Sequence, residues 1–384
     1  MSTTLETDAL LDTACRRTGF ADFGDPWFLE PLQVLLRSIT GEAALNDTGR
    51  TIYGERLLGG LVNRLRIRDF IKAHPEVHEQ PVRVGAVIVG LGRSGSTLLQ
   101  RLLAEPRRCT AIQWWESNLP VPLPGEVRGQ PTERRALGRQ AVDAMIAAAP
   151  DLLSMHPMDP FAADEEVMLL EQSFVSSAAE TFLNVPGYGA WLERTDQRPA
   201  YRELREVLQL LTWQVPERAR QHWILKTPHH LTALGAVVDT FPEAKIVMPH
   251  RDPVKTVVSW CSLVAALSAP NTDHLDLHRI GRYWSQRLKR NLDGFMAARD
   301  RLGPDHFVDV SYTDLTRDPV GTTEHILAAI GLPCDAQDHD DLRAWMARNG
   351  RESRAAHQYA AAEFGLDEEE LARMFAQYRN RYLR

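Results

Sequence analysis

The sequence has little cysteine, and its few cysteines are far apart. Its 384 residues include four of them and no C-x-x-C pair: Cys15, Cys109, Cys261 and Cys334. This scatter argues against a disulfide framework and against a cysteine-bound zinc site, and it fits a reducing compartment.

Long apolar runs and a net positive charge are also missing. No apolar run reaches the ~20 residues that a membrane-spanning helix needs. Residues Met1–Asp12 lack the basic and then apolar pattern of a signal peptide. The net charge is −7, from 51 acidic and 44 basic residues, which argues against an extended nucleic-acid-binding surface. We therefore expect a cytoplasmic protein with no membrane insertion and no nucleic-acid partner.

The most informative segment is a glycine-rich turn between a strand and a helix. The apolar run Val82–Gly90 predicts a strand, and Leu98–Leu103 continues as a helical pattern. Between them the sequence reads Gly90-Leu91-Gly92-Arg93-Ser94-Gly95-Ser96-Thr97. The glycines could serve only a tight turn. The position of the loop instead favours a phosphate site, in which backbone N–H groups and a helix N-terminus face the anion.

This loop differs from the loop that binds nucleoside triphosphates. Gly90 and Gly95 have the spacing of the Walker A glycines, but Ser96 occupies the lysine position. The cation of the loop is Arg93, three residues before Ser96. The sequence therefore predicts a site for an anion other than a triphosphate chain.

The rest of the chain predicts an α/β protein. Short apolar runs at 110–115, 223–226, 245–249 and 307–310 predict further strands, buried and mainly parallel. The fold class is a P-loop-like, three-layer arrangement: a central, mainly parallel sheet flanked by helices, with a helical insert or cap. We predict one domain over 1–384, with helices at 1–75, a nucleotide-binding core at 82–116 and 223–320, a helical insert at 132–220 and C-terminal helices at 340–384.

Two helix starts are also predicted from capping residues. Asp252 followed by Pro253 is an N-cap and first-turn pair. Asp367 with Glu370 forms a capping box for a helix that carries Leu371, Phe375, Tyr378 and Tyr382 on one face.

Polar side chains follow the predicted strands. Arg93, Glu116, Lys226, Arg251 and Tyr312 each come near the carboxyl end of one of them. Ligands of open parallel sheets bind at these ends. We therefore expect the five side chains to share one crevice.

Four segments carry a resemblance to a known family. They are the loop 90–99, the segment 223–229, the segment 246–253 with Ser259 after it, and Tyr312–Leu315. In these motifs the chain resembles sulfotransferases that use 3′-phosphoadenosine-5′-phosphosulfate (PAPS). It is most similar to the bacterial branch allied to tyrosylprotein sulfotransferases, and the match runs in order along nearly the whole chain.

The resemblance implies a role for each segment. The loop would bind the 5′-phosphosulfate, Lys226 would approach it, and Arg251 with Ser259 would bind the 3′-phosphate. The implied nucleotide-binding residues are Arg93, Ser94, Gly95, Ser96, Thr97, Leu98, Arg251, Ser259 and Tyr312. Arg251 offers a planar donor fork, and Ser259 lies about two helical turns further on. Arg251 could instead pair with Asp252 or cap a carbonyl.

The chain departs from the cytosolic steroid and phenol enzymes of the family in two places. Those enzymes carry a lysine where Arg93 stands. Their late Arg-Lys-Gly loop has only a partial counterpart in Arg348-Asn349-Gly350-Arg351, which we leave unassigned.

Sulfuryl transfer needs cations at the leaving phosphate and a base for the acceptor proton. Arg93, Lys226 and the loop amides, with Ser96 and Thr97, would meet the first need. For the base we favour Glu116, because related tyrosylprotein enzymes use a glutamate from this region. Glu116 could instead be a carboxylate at a helix N-terminus, paired with an arginine.

Other residues compete for the role of base. His156 is the main rival, because histidine titrates near neutral pH. His229 and His230 rank third, and Asp164-Glu165-Glu166 could be the acidic first turn of a helix.

The predicted function is transfer of a sulfuryl group from PAPS to a hydroxyl, phenol or amine of a small-molecule acceptor. We predict an in-line, metal-free mechanism, because no Walker B carboxylate is evident. One alternative is a P-loop kinase or NTPase, which would carry a lysine after Gly95. Another is a non-catalytic nucleotide-binding protein.

Overall fold

A parallel sheet of five strands forms the centre of the molecule. The computed structural model describes residues 5–148, 158–349 and 360–383. The strands are β1 Val84–Ile88, β2 Cys109–Thr110, β3 His222–Lys226, β4 Lys245–His250 and β5 Phe307–Ser311. They lie in the order β2-β3-β1-β4-β5, and each neighbouring pair is parallel. The central β1 therefore places the glycine-rich loop in the middle of the carboxyl edge.

The α-helices surround this sheet in three groups. Before β1 lie α1 Thr7–Thr18, α2 Leu29–Glu42 and α3 Asp47–Ala73. Between β1 and β3 lie α4 Ser96–Leu103, α5 Trp114–Asn118, α6 Thr132–Ala148, α7 Val167–Leu170, α8 Ala178–Phe182, α9 Pro186–Leu192 and α10 Arg198–Gln214. Later helices are α11 Leu234–Thr240, α12 Pro253–Ser268, α13 Leu277–Leu302, α14 Tyr312–Arg317, α15 Pro319–Ala329, α16 Ala336–Asn349, α17 Glu368–Met374 and α18 Ala376–Tyr382.

The two faces of the sheet are buried in separate apolar clusters. Val87 belongs to a large cluster with the N-terminal helices, α10, α12 and α13. Its neighbour Ile88 belongs to a smaller cluster with α4 and α15. Successive strand residues point to opposite faces, so helices cover the sheet on both sides. This confirms the predicted three-layer α/β class, and it explains why the strands are continuous apolar runs.

The strand predicted at 110–115 is mostly wrong. Strand β2 holds only Cys109 and Thr110, paired with the first residues of β3 at the sheet edge. A capping box between Gln113 and Glu116 then begins helix α5, and the Gln113 N–H donates to Glu116 Oε2 over 2.9 Å. The polar cap residues start a helix where the aromatic run indicated a strand.

Two predicted helix starts are present, and one predicted helix is split. Asp252 caps α12 by accepting from the Val254 N–H, with Pro253 in the first turn. Asp367 caps α17 by accepting from the Glu370 N–H. The helix that we expected to continue from there breaks at Phe375, which separates α17 from α18. Within the described ranges, no helix has both the length and the apolar character that crossing a bilayer requires.

Candidate active site

The glycine-rich loop has a backbone suited to an anion. It joins β1 to α4, and φ is positive at Gly90 (133°), Arg93 (71°) and Gly95 (84°). Gly95 also occupies the N-cap position of α4. Residues in the left-handed region next to right-handed ones turn consecutive N–H groups toward a common point. The loop therefore has the conformation of an anion nest at a helix N-terminus.

Close packing holds the loop between two other elements. A Cβ added at Gly92 would lie 2.2 Å from a ring carbon of Trp260 on α12. A Cβ at Gly95 would lie 3.4 Å from the ring of Tyr312 on α14. Gly92 and Gly95 thus allow a close approach of the loop to elements that follow β4 and β5.

The structure brings the two predicted anion-binding arginines together, although 158 positions separate them. Arg251 Nη1 donates to the Arg93 carbonyl over 2.5 Å. The Arg251 guanidinium carbon lies 4.4 Å from the centre of the Tyr312 ring. Arg93 Nε donates to Ser259 Oγ over 3.1 Å. Here Arg251 does cap a carbonyl, as the alternative interpretation held, and that carbonyl belongs to the glycine-rich loop.

Lys226 lies at the end of β3 beside the start of α4. Its side chain is only 1% exposed. Its Nζ lies 2.6 Å from Glu165 Oε1 and 3.4 Å from Thr97 Oγ1. The ammonium group is thereby aimed at the loop and paired with a carboxylate.

Sequence reasoning missed the importance of Glu165 and Glu166. Glu165 lines the cavity described below and pairs with Lys226. Glu166 is fully buried; it accepts from the Lys226 backbone N–H over 3.1 Å and contacts His230 Nε2. His230 Nδ1 in turn lies 2.5 Å from the Tyr201 hydroxyl. The available signal is the run of three acidic residues Asp164-Glu165-Glu166, which the sequence alone also allows as the acidic first turn of a helix.

The structure holds Glu116 in a buried ion pair with Arg218. Its two carboxylate oxygens accept from Arg218 over 2.7 and 2.9 Å. Both side chains are buried, at 3% and 8% exposure. Glu116 is not among the described residues that line the cavity. Its geometry is that of the alternative interpretation, a carboxylate in a helix cap paired with an arginine.

Glu116→Gln is accordingly expected to affect stability more than turnover. The amide leaves Arg218 buried without its anion, and breaking such a pair costs about 3 kcal/mol of unfolding free energy. Urea unfolding measures this loss, and kcat per folded molecule should stay within about twofold of wild type. A large fall in kcat without a fall in stability would return Glu116 to the catalytic role.

Two other predicted features fall partly or wholly outside the described residues. His156, the rival base, lies outside the described residues, and so do Gly350 and Arg351. Arg348 is described: its side chain is 65% exposed and its Nη2 lies 3.5 Å from Glu105 Oε1. His156 stays a prediction.

His229 is buried in a setting that disfavours a base. Its Nδ1 accepts from the Ser177 N–H over 3.1 Å, which places the ring proton on Nε2. Burial, with smaller effects of His230 and Arg287, lowers the pKa of His229 from 6.5 to about 3. The ring is therefore neutral at pH 7 and has no lone pair available for an acceptor proton.

This burial predicts a pH dependence of stability. Between pH 6.5 and about 3 the unfolded chain binds a proton at His229 that the folded chain does not. The unfolding free energy is therefore expected to fall on acidification below pH 6.5, by about 1.4 kcal/mol per pH unit from this group. Urea titrations at pH 6.5 to 4.5 should show that His229→Gln removes this slope. The surface variant His274→Gln should not.

A cavity of about 1290 Å³ opens over the carboxyl edge of the sheet. The loop, Lys255 and Thr227 line one part of it. Its apolar lining includes four methionines and four tryptophans: Met145, Met158, Met168, Met346, Trp114, Trp260, Trp284 and Trp345. Pockets for a single drug-sized ligand measure about 300–1,000 Å³, so this cavity is larger than one such ligand requires.

A buried ion pair lies in another part of the wall. Arg287 donates to both oxygens of Glu180 over 3.1 Å, and the Tyr283 hydroxyl donates to Glu180 Oε1 over 2.5 Å. Burial, reinforced by Glu180, raises the pKa of Tyr283 above its usual range. Burial opposes the charge on Arg287, but Glu180 more than offsets it and raises that pKa too. No three metal-ligating side chains cluster within the described ranges.

The fold is that of a P-loop-like α/β protein, and its glycine-rich loop carries Arg93 with Arg251 beside it. The model of the sulfotransferase family matches residues 86–336, and the chain belongs to this family. This confirms the predicted family.

Solved structures support the same assignment. The sulfotransferase STF1 of Mycobacterium tuberculosis is 30% identical, with a TM-score of 0.86 over 98% of this chain and all of that one. The sulfotransferase STF9 of Mycobacterium avium is 23% identical, with a TM-score of 0.89 over 100% of this chain and 98% of that one, and shows the shared fold.

A curated relative carries a substrate in its name. The omega-hydroxy-beta-dihydromenaquinone-9 sulfotransferase Stf3 of Mycobacterium bovis is 29% identical over 254 residues. The alignment covers 64% of this chain and 62% of that relative.

Proposed function

We propose that this protein transfers a sulfuryl group from PAPS to a hydroxyl, phenol or amine of a small acceptor. The observation that carries the proposal is the contact of the Arg251 fork with the Arg93 carbonyl, beside a loop with the backbone of an anion nest. One nucleotide with a phosphate at each end of its adenosine can reach both cations. Family membership favours sulfuryl transfer over a kinase reaction, as does Ser96 in the Walker lysine position.

The predicted nucleotide-binding residues fit both the 5′-phosphosulfate and the 3′-phosphate of PAPS. Backbone amides of the loop, with Ser96, Thr97 and Lys226, face the 5′-phosphosulfate, and Arg251 with Ser259 binds the 3′-phosphate. Ser94 Oγ is buried without a hydrogen-bond partner among the described residues. Ser94 is not among the described residues that line the cavity, whereas Ser96 and Thr97 are, so the donor contacts are assigned to Ser96 and Thr97. Tyr312 supplies an aromatic face beside Arg251.

The reaction needs stabilisation of the negative charge on the leaving phosphate, and it needs a base for the acceptor proton. The acceptor oxygen or nitrogen forms a bond to sulfur as the bond from sulfur to the 5′-phosphate oxygen breaks, and the electron pair stays on that oxygen. Lys226 and the loop amides stabilise the negative charge that develops there. Since no step draws on a metal ion, the proposed mechanism is metal-free.

We assign the base to Glu165 in place of Glu116. Glu165 lines the cavity, and its Oε1 lies 2.6 Å from Lys226 Nζ, which itself approaches Thr97. A carboxylate at this point takes the acceptor proton as the bond to sulfur forms. Glu116 has both oxygens engaged by Arg218.

The acceptor is proposed to be largely apolar. The methionines of the cavity lining are flexible and adapt to irregular apolar shapes. The name of the Stf3 relative describes a hydroxylated menaquinone derivative. We therefore place apolar alcohols and phenols first among the acceptors.

Incubation with ³⁵S-labelled PAPS tests the proposal directly. We expect labelled product with apolar alcohols or phenols, detected by mass spectrometry, and none with the Arg93→Ala variant. Calorimetry with 3′,5′-ADP and with Mg-ATP separates the alternatives. Tight Mg-ATP binding without binding of 3′,5′-ADP would indicate a kinase or NTPase. Binding of 3′,5′-ADP without turnover of any acceptor would favour a non-catalytic protein.

A further inference from the structure

The residues on both sides of Arg251 are held by one helix near the end of the chain. His250 ends β4, Asp252 caps α12, and Arg251 lies between them. Helix α18 contributes three side chains to this turn: Tyr378, Arg379 and Tyr382. No role in the reaction described above requires these contacts.

His250 is fixed from three directions. Its Nδ1 lies 2.6 Å from the Tyr378 hydroxyl, and its Nε2 lies 2.8 Å from Asp309 Oδ1. Its ring stacks on Tyr382 at 4.5 Å between centres and 7° between planes. Arg299 pairs with Asp309 on the far side, over 2.6 Å. Two of the three supports of His250 therefore come from α18.

Asp252 uses one oxygen for its own helix and the other for α18. Oδ1 accepts from the Val254 N–H over 3.1 Å. Oδ2 accepts from Arg379 Nη2, also over 3.1 Å. The Arg379 and Asp252 side chains are 37% and 30% exposed. The ion pair therefore links α18 to the turn at a partly solvated position.

We propose that α18 positions Arg251 for the 3′-phosphate, through Tyr378 on His250 and Arg379 on Asp252. The inference rests on the proposed function and deepens it. The backbone on both sides of Arg251 is fixed by α18, so the direction of the guanidinium depends on how this helix is docked. Misplacement of a donor fork by a fraction of an ångström weakens a bidentate phosphate contact.

Weaker nucleotide binding in an Arg379 variant has a second explanation besides the positioning of Arg251. Arg379 is itself a cation near the site, so Arg379→Gln could weaken anion binding through lost long-range attraction alone. Asp252→Asn separates the two effects. Asparagine caps a helix about as well as aspartate, so this variant loses the ion pair and keeps the cap. Charge attraction alone predicts tighter nucleotide binding in Asp252→Asn, whereas positioning predicts weaker binding.

The experiment measures the Kd for 3′,5′-ADP by calorimetry in the full chain. We expect Arg379→Gln and Asp252→Asn each to raise Kd about two- to fivefold, with the double variant no weaker than either. Tyr378→Phe, which leaves a buried ring nitrogen without its partner, should raise Kd about tenfold. With PAPS and an acceptor, the loss should appear in the KM for PAPS. The control is Arg381→Gln, which breaks an ion pair of the same helix with Asp300.

The outcomes are distinct. Positioning by α18 is overturned if Arg379→Gln and Tyr378→Phe match Arg381→Gln, or if Asp252→Asn tightens binding. If Arg251→Ala itself leaves Kd unchanged, the nucleotide assignment fails and the positioning role fails with it. If Arg251→Ala weakens binding while the α18 variants do not, only the positioning role fails.

Discussion

Arg251→Ala is expected to raise the Kd for 3′,5′-ADP by about a hundredfold, because it removes a charged donor fork from the proposed 3′-phosphate site. The same size of effect is expected for Arg93→Ala, whose side chain is tied to Ser259. Calorimetry at fixed ionic strength gives both constants. Arg251→Lys should fall between wild type and alanine, because lysine keeps the charge and loses the fork.

The matched control is Arg290→Ala, which removes an arginine that is paired with Glu193 and 48% exposed. It should leave Kd within about twofold of wild type, as surface substitutions commonly do. Wild-type affinity in both Arg93→Ala and Arg251→Ala would contradict the nucleotide assignment, whatever the activity of the protein.

Glu165→Gln is expected to lower kcat by about a thousandfold, within the range that a general base contributes. The amide keeps the shape of the side chain and cannot take the acceptor proton. Loss of the carboxylate also removes the ion-pair partner of Lys226. Because the full charge of Lys226 then acts on the nucleotide, the Kd for 3′,5′-ADP should not rise. Single-turnover transfer from labelled PAPS, together with calorimetry, measures the two quantities.

Asp164 provides a matched control for this prediction. It is the preceding residue and also lines the cavity. Its Oδ1 accepts from the Glu165 N–H over 2.6 Å, which asparagine can also do. Asp164→Asn should therefore keep kcat within about threefold of wild type. Loss of turnover in Asp164→Asn with retention in Glu165→Gln would move the base by one residue. Retention in both would leave His156 as the next candidate.

Local sequence was enough for the elements that need particular backbone chemistry. The loop 90–97 could be interpreted because a strand that turns directly into a helix needs positive φ, which Gly90 and Gly95 adopt at low cost. Asp252 followed by Pro253 marked the start of α12 for a similar reason, since the cap and the fixed φ act within a few residues. Buried strands such as β1 could be predicted because each is a continuous apolar run.

The ion-pair partner of each carboxylate lies far away in the chain. Glu116 looked like a base at a strand end, but Arg218, 102 positions later, engages both of its oxygens. From the sequence, Glu165 could be part of the acidic first turn of a helix, but it pairs with Lys226, 61 positions later, whose Nζ also approaches Thr97 of the glycine-rich loop. Sequence spacing gives no access to such contacts.

The sequence by itself therefore determined the class of fold, the turn of the glycine-rich loop and the family, because backbone conformation and strand burial depend on neighbouring residues. Only the tertiary structure decided which acidic side chain faces the cavity and that Arg251 contacts the loop of Arg93. Both depend on side chains that meet across the carboxyl edge of the sheet, where the position of each one is set by the packing of several helices.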